Sequence, residues 1–326
     1  MMGLEGYQFQ MRDWSDWLTF HDEHVKRGPE YYLTNREYFD YTFLRNPYNP
    51  TPGKRQFILW RLDNEIVGYI GRIWQPMQIK GVLRLCLWQE TSYIRPDMRG
   101  KGLGTEIYKS VVGNDITGNI QGVKQPQVDR ILKSTVPLGT PERRACMERA
   151  VLQKPFKEYT AYPVTWQLDG YPMWHNDIAT IGAHLWDECA PRYGVSTDRT
   201  VAWLRYRYID HPHRSQYQVF VTDDAIAVVR VEHSPDIKMV RIVDVWGRDV
   251  MPVVQLVVKH ALDTSADAVD FMCVGWPDRQ VFEELGFTFW QGAQMNTLPM
   301  LFNPLDTTLR EEQVTLYGKG ILGGLW

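Results

Sequence analysis

Two stretches of the chain repeat one alternation of apolar and polar positions. Phe57–Leu62 and Ile66–Ile73 are apolar runs joined by the polar turn Asp63–Glu65, and Val219–Val221 and Ile226–Val231 are joined in the same way by Thr222–Asp224. Strong β-formers on either side of an Asp/Asn turn predict a hairpin in each place. Ahead of each hairpin lies an aromatic-rich run with helical spacing that ends at a proline, Arg36–Pro47 and Val201–Pro212. In these runs Tyr41 matches Tyr206 and Pro47 matches Pro212. Proline disfavours the α conformation in the residue before it, so both helices are predicted to stop there.

The correspondence continues downstream. A strand at Leu83–Tyr93 leads through a glycine-rich turn into a helix starting near Gly104. In the second half Val240–Trp246 leads through Gly247 into a helix over Val250–Leu262. A further strand follows in each half, Arg130–Val136 and Ala268–Val274. Next comes a helix beginning near Pro141–Glu142 or Pro277–Asp278, and then a pair of strands. The order β-α-α-β-β-β-α-β-α-β-β in both halves predicts a mixed α/β fold, an α+β mixed sheet, built twice. Breakers between Pro163 and Gly170 place the division there, which gives domains 1–165 and 166–326.

A length of 326 residues with 44% hydrophobic content supports two cores. The net charge of −3 excludes a surface that is uniformly attractive to polyanions, but it conceals an asymmetry: cut after Thr165, the first half carries +5 and the second −8. An anionic ligand of the first half accounts for that excess, so no nucleic-acid partner is expected. The four cysteines, Cys86, Cys146, Cys189 and Cys273, lie far apart without zinc spacing and read as reduced thiols of a cytoplasmic protein. No basic-then-apolar leader opens the chain, and no uncharged apolar run reaches bilayer length, so a soluble protein with no membrane partner is expected.

Candidate chemistry concentrates at Tyr93–Thr105. A strand runs into a turn holding Arg99, Gly100, Lys101, Gly102 and Gly104, and a helical pattern follows. Glycines permit positive φ and close backbone approach, and successive free N–H groups make a concave anion site. Two basic side chains add charge-assisted contacts, so the turn suits a phosphate or pyrophosphate. It is neither G-x-x-x-x-G-K-[ST] nor a dinucleotide fingerprint after a first strand.

The string Arg99–Gly104 fits [Q/R]-x-x-G-x-[G/A] and resembles the acetyl-CoA-binding motif of the GNAT superfamily of N-acetyltransferases. Ile94–Pro96 is similar to that family's V-x-P lead-in from its fourth strand, and Phe282–Phe287 is similar to its Y-x-x-x-G-F. The resemblance covers about residues 5 to 165 with a specific motif and the rest by element order. Trp246–Val250, the equivalent turn of the second half, offers one glycine and an aspartate. The resemblance therefore implies tandem GNAT domains, a CoA-competent first one and a degenerate second one. It further implies acyl-CoA as co-substrate, with the pantetheine near Ile94 and Arg95, between splayed fourth and fifth strands. Gly100, Lys101, Gly102, Leu103, Gly104 and Thr105 would hold the pyrophosphate, with Arg99 and Lys101 supplying charge.

In that family an amine attacks the thioester directly in a ternary complex, which requires a base. Glu90, on the fourth strand a few residues before the lead-in, is the candidate. Period-2 alternation puts it on the face of Ile94, opposite Tyr93, if no bulge intervenes. The family's helix tyrosine, the usual acid, has no counterpart in Cys146–Phe156, which leaves solvent, Tyr159, Tyr162 or the second half. Ser134 and Thr135 read equally as thioester contacts or plain strand-end hydroxyls.

His21 and His24 lie three apart beside Asp22 and Glu23, but no third ligand is legible and they read as solvated helix residues; no metal is expected. The expected activity is transfer of acetyl from acetyl-CoA to a small-molecule amine, with an oligomer possible. An acyl-carrier-protein donor and a non-catalytic acyl-CoA sensor are the rivals.

Overall fold

The computed structural model describes residues 6–26, 32–79, 81–110, 116–120, 144–146, 148–156, 176–193, 195–234, 237–274, 277–290, 299–304 and 316–317. The first hairpin forms as expected. Strands β1 (Gly6–Gln8), β2 (Phe57–Leu62) and β3 (Glu65–Ile79) pair antiparallel. Asp63 and Asn64 take φ of 50° and 67°, the positive pair that matches a two-residue turn to strand twist. Strand β4 (Val82–Ile94) pairs antiparallel with β3. Helices α1 (Trp14–Phe20) and α2 (Arg36–Phe43) cover one face of this sheet; Asn35 caps α2, its side chain accepting from the Tyr38 N–H at 3.1 Å. Helix α3 (Leu103–Lys109) covers the other.

Side chains divide between the faces as the pleat requires. Phe57, Leu59, Tyr69, Ile73, Met77, Cys86 and Trp88 join the α1/α2 core. Ile58, Trp60, Val67, Ile70 and Leu87 pack with Leu103 and Ile107 of α3. Trp17 of α1 is fully buried and donates its indole N–H to the Leu33 carbonyl at 2.9 Å.

One sequence expectation fails here, and another lies outside the described residues. The strand parallel to β4 is β5 (Ile116–Ile120); Arg130–Val136, with Ser134 and Thr135, lies outside the described residues, as do Tyr159 and Tyr162. Where a fourth helix was expected, strands β6 (Arg144–Cys146) and β7 (Glu148–Gln153) form. Alternating Arg149, Val151 and Gln153 against Ala150 and Leu152 serves a strand buried between neighbours, and its helical reading came from family spacing.

In the second half α4 (Asn176–Cys189), the short strand β8 (Val195–Thr197) and α5 (Val201–Leu204) precede the hairpin of β9 (Gln218–Val221) and β10 (Ala225–Ser234). Strand β11 (Ile237–Gly247), helix α6 (Met251–Asp263), strand β12 (Ala268–Val274) and helix α7 (Arg279–Glu284) follow close to their expected limits. Strands β13 (Thr288–Trp290), β14 (Pro299–Pro304) and β15 (Leu316–Tyr317) complete the described part.

The sheets exchange strands. The first runs β1-β2-β3-β4-β5-β14-β6, with β8 on β3; the second runs β13-β7-β12-β11-β10-β9, with β15 on β12. Thus β7 serves the second sheet, whereas β14 and β8 serve the first. The expected division at 165/166 falls outside the described residues. The matched helices α2 and α5 also meet: Tyr41 and Tyr206 stack at 4.6 Å between ring centroids. The Tyr41 hydroxyl donates to the Tyr206 carbonyl at 2.7 Å, and the Tyr206 hydroxyl donates to the Tyr41 carbonyl at 3.3 Å. Such reciprocity is the signature of a two-fold relation between like elements.

Candidate functional site

Beyond Trp88 the ladder between β3 and β4 slips. Arg72 pairs with Gln89 and Gly71 with Thr91, so Glu90 is the extra residue of a β-bulge. Among the described residues, pairing of β4 with β5 runs from Leu87 opposite Thr117 to Gln89 opposite Asn119. The fork between two parallel strands that the resemblance implies would open beyond this point, where the facing residues lie outside the described ones.

The bulge overturns the argument that placed Glu90 on the face of Ile94. Before it, Cys86 and Trp88 face α1 and α2; after it, Tyr93 packs on that side and Ile94 on the α3 side. The parity of the strand changes at Glu90 itself, so alternation does not carry across it. Glu90 nonetheless stands at the mouth of the fork by its backbone position.

At the end of β4 the chain makes a tight turn at Pro96–Met98 and reaches the glycine loop. Gly100 and Gly102 take φ of 77° and 89°, conformations that L side chains resist. Met98, Leu103 and Ile107 are buried and pin the loop to the sheet. At Gly68 of β3 an added Cβ would lie 3.1 Å from the Tyr93 carbonyl and 3.3 Å from Leu103 and Ile107, so a glycine there lets α3 approach. The N–H groups of Thr105 and Glu106 donate to the Gly102 carbonyl at 3.0 and 3.3 Å. Among the described residues those of Gly100 to Gly102 donate to no backbone acceptor in the loop, which leaves them suited to an anion.

The basic residues divide. Arg99 and Lys101 are exposed; the Arg99 guanidinium lies 5.6 Å from the Tyr93 ring centroid and donates from Nε to the Ile94 carbonyl at 3.2 Å. Arg95 is committed elsewhere. It pairs with Glu65 and Asp97 at 2.7 Å each, its N–H donates to Val67 O, and its carbonyl accepts from Met98 N. The hydrogen bond from Arg95 holds the Asp97 carboxyl below its ordinary range.

The second half repeats the bulge, and the fork that opens there between β11 and β12 is filled. Val228 pairs with Asp244 and Val229 with Ile242, so Val243 is bulged as Glu90 is. Pairing of β11 with β12 ends at Ile242 opposite Phe271. There β15 pairs with Cys273 and Val274 of β12, whose other edge at Cys273 is taken by β7. Strand β15 therefore lies on the β11 side, in the opening. At the turn after β11, the Arg192 Nη1 donates to the carbonyls of Gly247 and Arg248 at 2.8 and 3.0 Å. The Asp249 carboxylate accepts from the Met251 N–H at 3.0 Å, at the start of α6. This turn presents carbonyls and a carboxylate where the first presents N–H groups, the reverse of a phosphate site.

Sequence reasoning did not anticipate the platform of Tyr93, which stacks with Tyr69 at 6.1 Å and donates to the His24 carbonyl at 2.7 Å. The aromatic stripe of the first two helices was its visible signal. His21 is buried beside Trp17, and among the described residues no group of three or more His, Cys, Asp or Glu could hold a metal ion.

Residues 11–114 match the model of the acetyltransferase (GNAT) family. Over this segment the chain is similar to that family. The match spans both helices, the hairpin, the bulged strand and the glycine loop, and it supports an acyltransferase of the GNAT kind. The fold likeness extends over nearly the whole chain. A GCN5-related N-acetyltransferase from Kribbella flavida superposes with a TM-score of 0.62 at 11% identity, covering 93% of this chain and 72% of that one. A probable N-acyltransferase from Enterococcus faecalis gives 0.61 at 10% identity, over 96% and 74%. Saccharomyces cerevisiae N-myristoyltransferase, solved with bound myristoyl-CoA, gives 0.57 at 11% identity, over 93% and 83%. A search of curated proteins by sequence finds no match. No described helix is long and apolar enough to cross a membrane.

Proposed function

We propose that the protein transfers acetyl from acetyl-CoA to the amine of a small molecule, by direct attack in a ternary complex. The observation that carries this reading is the coincidence of two features at one strand end: the bulge at Glu90 and the glycine loop with positive φ at Gly100 and Gly102. The loop amides would bind the pyrophosphate, with Arg99 and Lys101 screening its charge. Thr105 contributes through its position, since its N–H is already donated. The thioester arm would lie along the parted edge near Ile94. Arg95, whose backbone and guanidinium are both engaged, would brace the turn through Asp97 and Glu65.

Glu90 would take a proton from the ammonium form of the acceptor. The neutral nitrogen then bonds to the carbonyl carbon as the carbon–sulfur bond breaks and gives up its second proton to solvent, and the thiolate leaves with a proton from solvent or a neighbouring group. The filled second fork supports a single donor site in the first of two duplicated units, 1–165 and 166–326. The shared bulge and the reciprocal tyrosines support the duplication. The buried free thiols Cys86 and Cys189 suit a cytoplasmic setting.

Calorimetric titration of acetyl-CoA into the protein and into Gly102→Glu tests the reading. Micromolar binding by the wild type, abolished in a folded Gly102→Glu, is the expected result. A wild type that binds no acetyl-CoA would sink it.

A further inference from the structure

Arg207 is unused by the chemistry above. It lies in the wide helical turn Arg205–Ile209 that continues α5, and only 3% of it is exposed. Neither its Nε nor its Nη2 meets a hydrogen-bond partner or solvent. The groups acting most strongly on its charge are Tyr217, Tyr208, Tyr41 and Tyr38, with no carboxylate among them. Its guanidinium carbon lies 5.7 Å from the Tyr208 ring centroid. The other buried arginines differ: Arg199 holds Asp244 at 2.8 Å, Arg241 holds Asp270 at 2.8 Å, and Arg230 holds Glu232. A guanidinium stays protonated in any protein interior, and burying one without a counter-charge is strongly unfavourable.

The surroundings are rich in donors. His211, 1% exposed, accepts from the His213 N–H at Nδ1 (3.0 Å), which leaves its proton on Nε2. Its ring lies 5.6 Å from Tyr38, 4.9 Å from Tyr41 and 5.2 Å from Tyr217. The imidazole and Arg207 thus share one tyrosine cage at the seam between α2 and the second half. The Tyr208 hydroxyl is donated to Asp244 at 3.2 Å, and among the described residues no acceptor lies within hydrogen-bond distance of the Arg207 Nε or Nη2.

We propose that this cage is an oxyanion site, with the guanidinium fork of Arg207 holding a carboxylate. Helix α2 links it to the fork of the first sheet. Tyr38 and Tyr41 line the cage, while Phe43, roughly 3 to 8 Å further along the helix axis, lies against Gly71 beside Thr91 at the bulge. The carboxylate is therefore assigned to the amine acceptor, which rests on the acyl-transfer reading. A free anion is the other source of the same chemistry.

The test begins without any variant. Line broadening of carbon-13 acetate by the wild-type protein, and a saturable rise of its melting temperature in acetate or inorganic phosphate but not in chloride of equal ionic strength, are expected. Arg207→Met, which removes the charge while keeping an apolar stem, should lose both effects. Arg207→Lys, which keeps the charge without the fork, should retain a weakened one. Absence of broadening and of a saturable shift in the wild type would overturn the site whatever the variants do. Acceptor amines compared as carboxylate and carboxamide then identify the source. A preference of about tenfold or more for the carboxylate, with acetate competing, supports the acceptor assignment. Equal binding without competition overturns that assignment and leaves a free-anion site. Loss of acetyl-CoA binding with the acetate effect intact would instead count against the acyl-transfer reading alone.

Discussion

Gly100 and Gly53 form a matched pair that separates backbone strain from ligand contact. Their φ angles are 77° and 78°, and a Cβ added at either meets nothing within 4 Å. Alanine at either position therefore costs only the left-handed conformation, about 1–2 kcal/mol. Restricting the unfolded chain returns about 0.4–1 kcal/mol of that. Both variants should unfold in urea with stabilities lower by roughly 0.5–1 kcal/mol and with unchanged m-values. Their affinities for acetyl-CoA should diverge. On the proposed reading a phosphate occupies the open space at Gly100, and a methyl there displaces it from one charge-assisted hydrogen bond. At about 1.5–3 kcal/mol for that bond, Gly100→Ala should bind acetyl-CoA roughly 10- to 150-fold more weakly by calorimetry. Gly53→Ala should bind as the wild type does. Equal affinity of Gly100→Ala and wild type, or an equal loss in Gly53→Ala, would refute the placement of the phosphates.

Other outcomes follow from the same geometry. Glu90→Gln should retain acetyl-CoA binding and lose turnover by about 100-fold or more in a steady-state assay with an amine acceptor; unchanged turnover would remove Glu90 as the base. Acetyl-CoA should titrate to one site per chain, because β15 lies in the second fork; a stoichiometry of two would contradict that. Tyr41→Phe and Tyr206→Phe should each cost about 1–3 kcal/mol in urea unfolding. A double-mutant cycle should show coupling above about 0.5 kcal/mol, since each hydroxyl serves the other residue's carbonyl. Burial pushes the Cys189 thiol up from 9.0 to about 11. It should therefore resist alkylation at pH 8 until the protein unfolds. Its neutral form should favour the folded state below pH 9 and lose that contribution as pH rises towards 11, because the unfolded thiol ionises first.

Local order was legible because its causes are local. The hairpin turn at Asp63–Asn64 needs two residues tolerant of positive φ, and the helical runs stop ahead of Pro47 and Pro212, at Phe43 and Ile209, upstream of the residue each proline restricts. The glycine loop was legible for the same reason: the φ angles of Gly100 and Gly102, and the run of N–H groups they create, depend on residues that are neighbours in the chain. The family resemblance of Arg99–Gly104 rests on that local geometry and agrees with the family model that matches residues 11–114.

What tertiary structure decided depends on contacts between residues far apart in sequence. Glu148–Gln153 has too few residues to declare a period, and its place between β12 and β13 is chosen by hydrogen bonds to strands more than a hundred residues away. The bulge at Glu90 is a mismatch of register between β3 and β4, a property of the pair that neither strand carries alone, and it alters which face every later residue of β4 adopts. The filling of the second fork by β15 and the tyrosine cage around Arg207 likewise exist only once both halves have met. An arginine in an aromatic helix reads as a surface residue in sequence; only the packing of α2 against it removes the water that would otherwise solvate its charge.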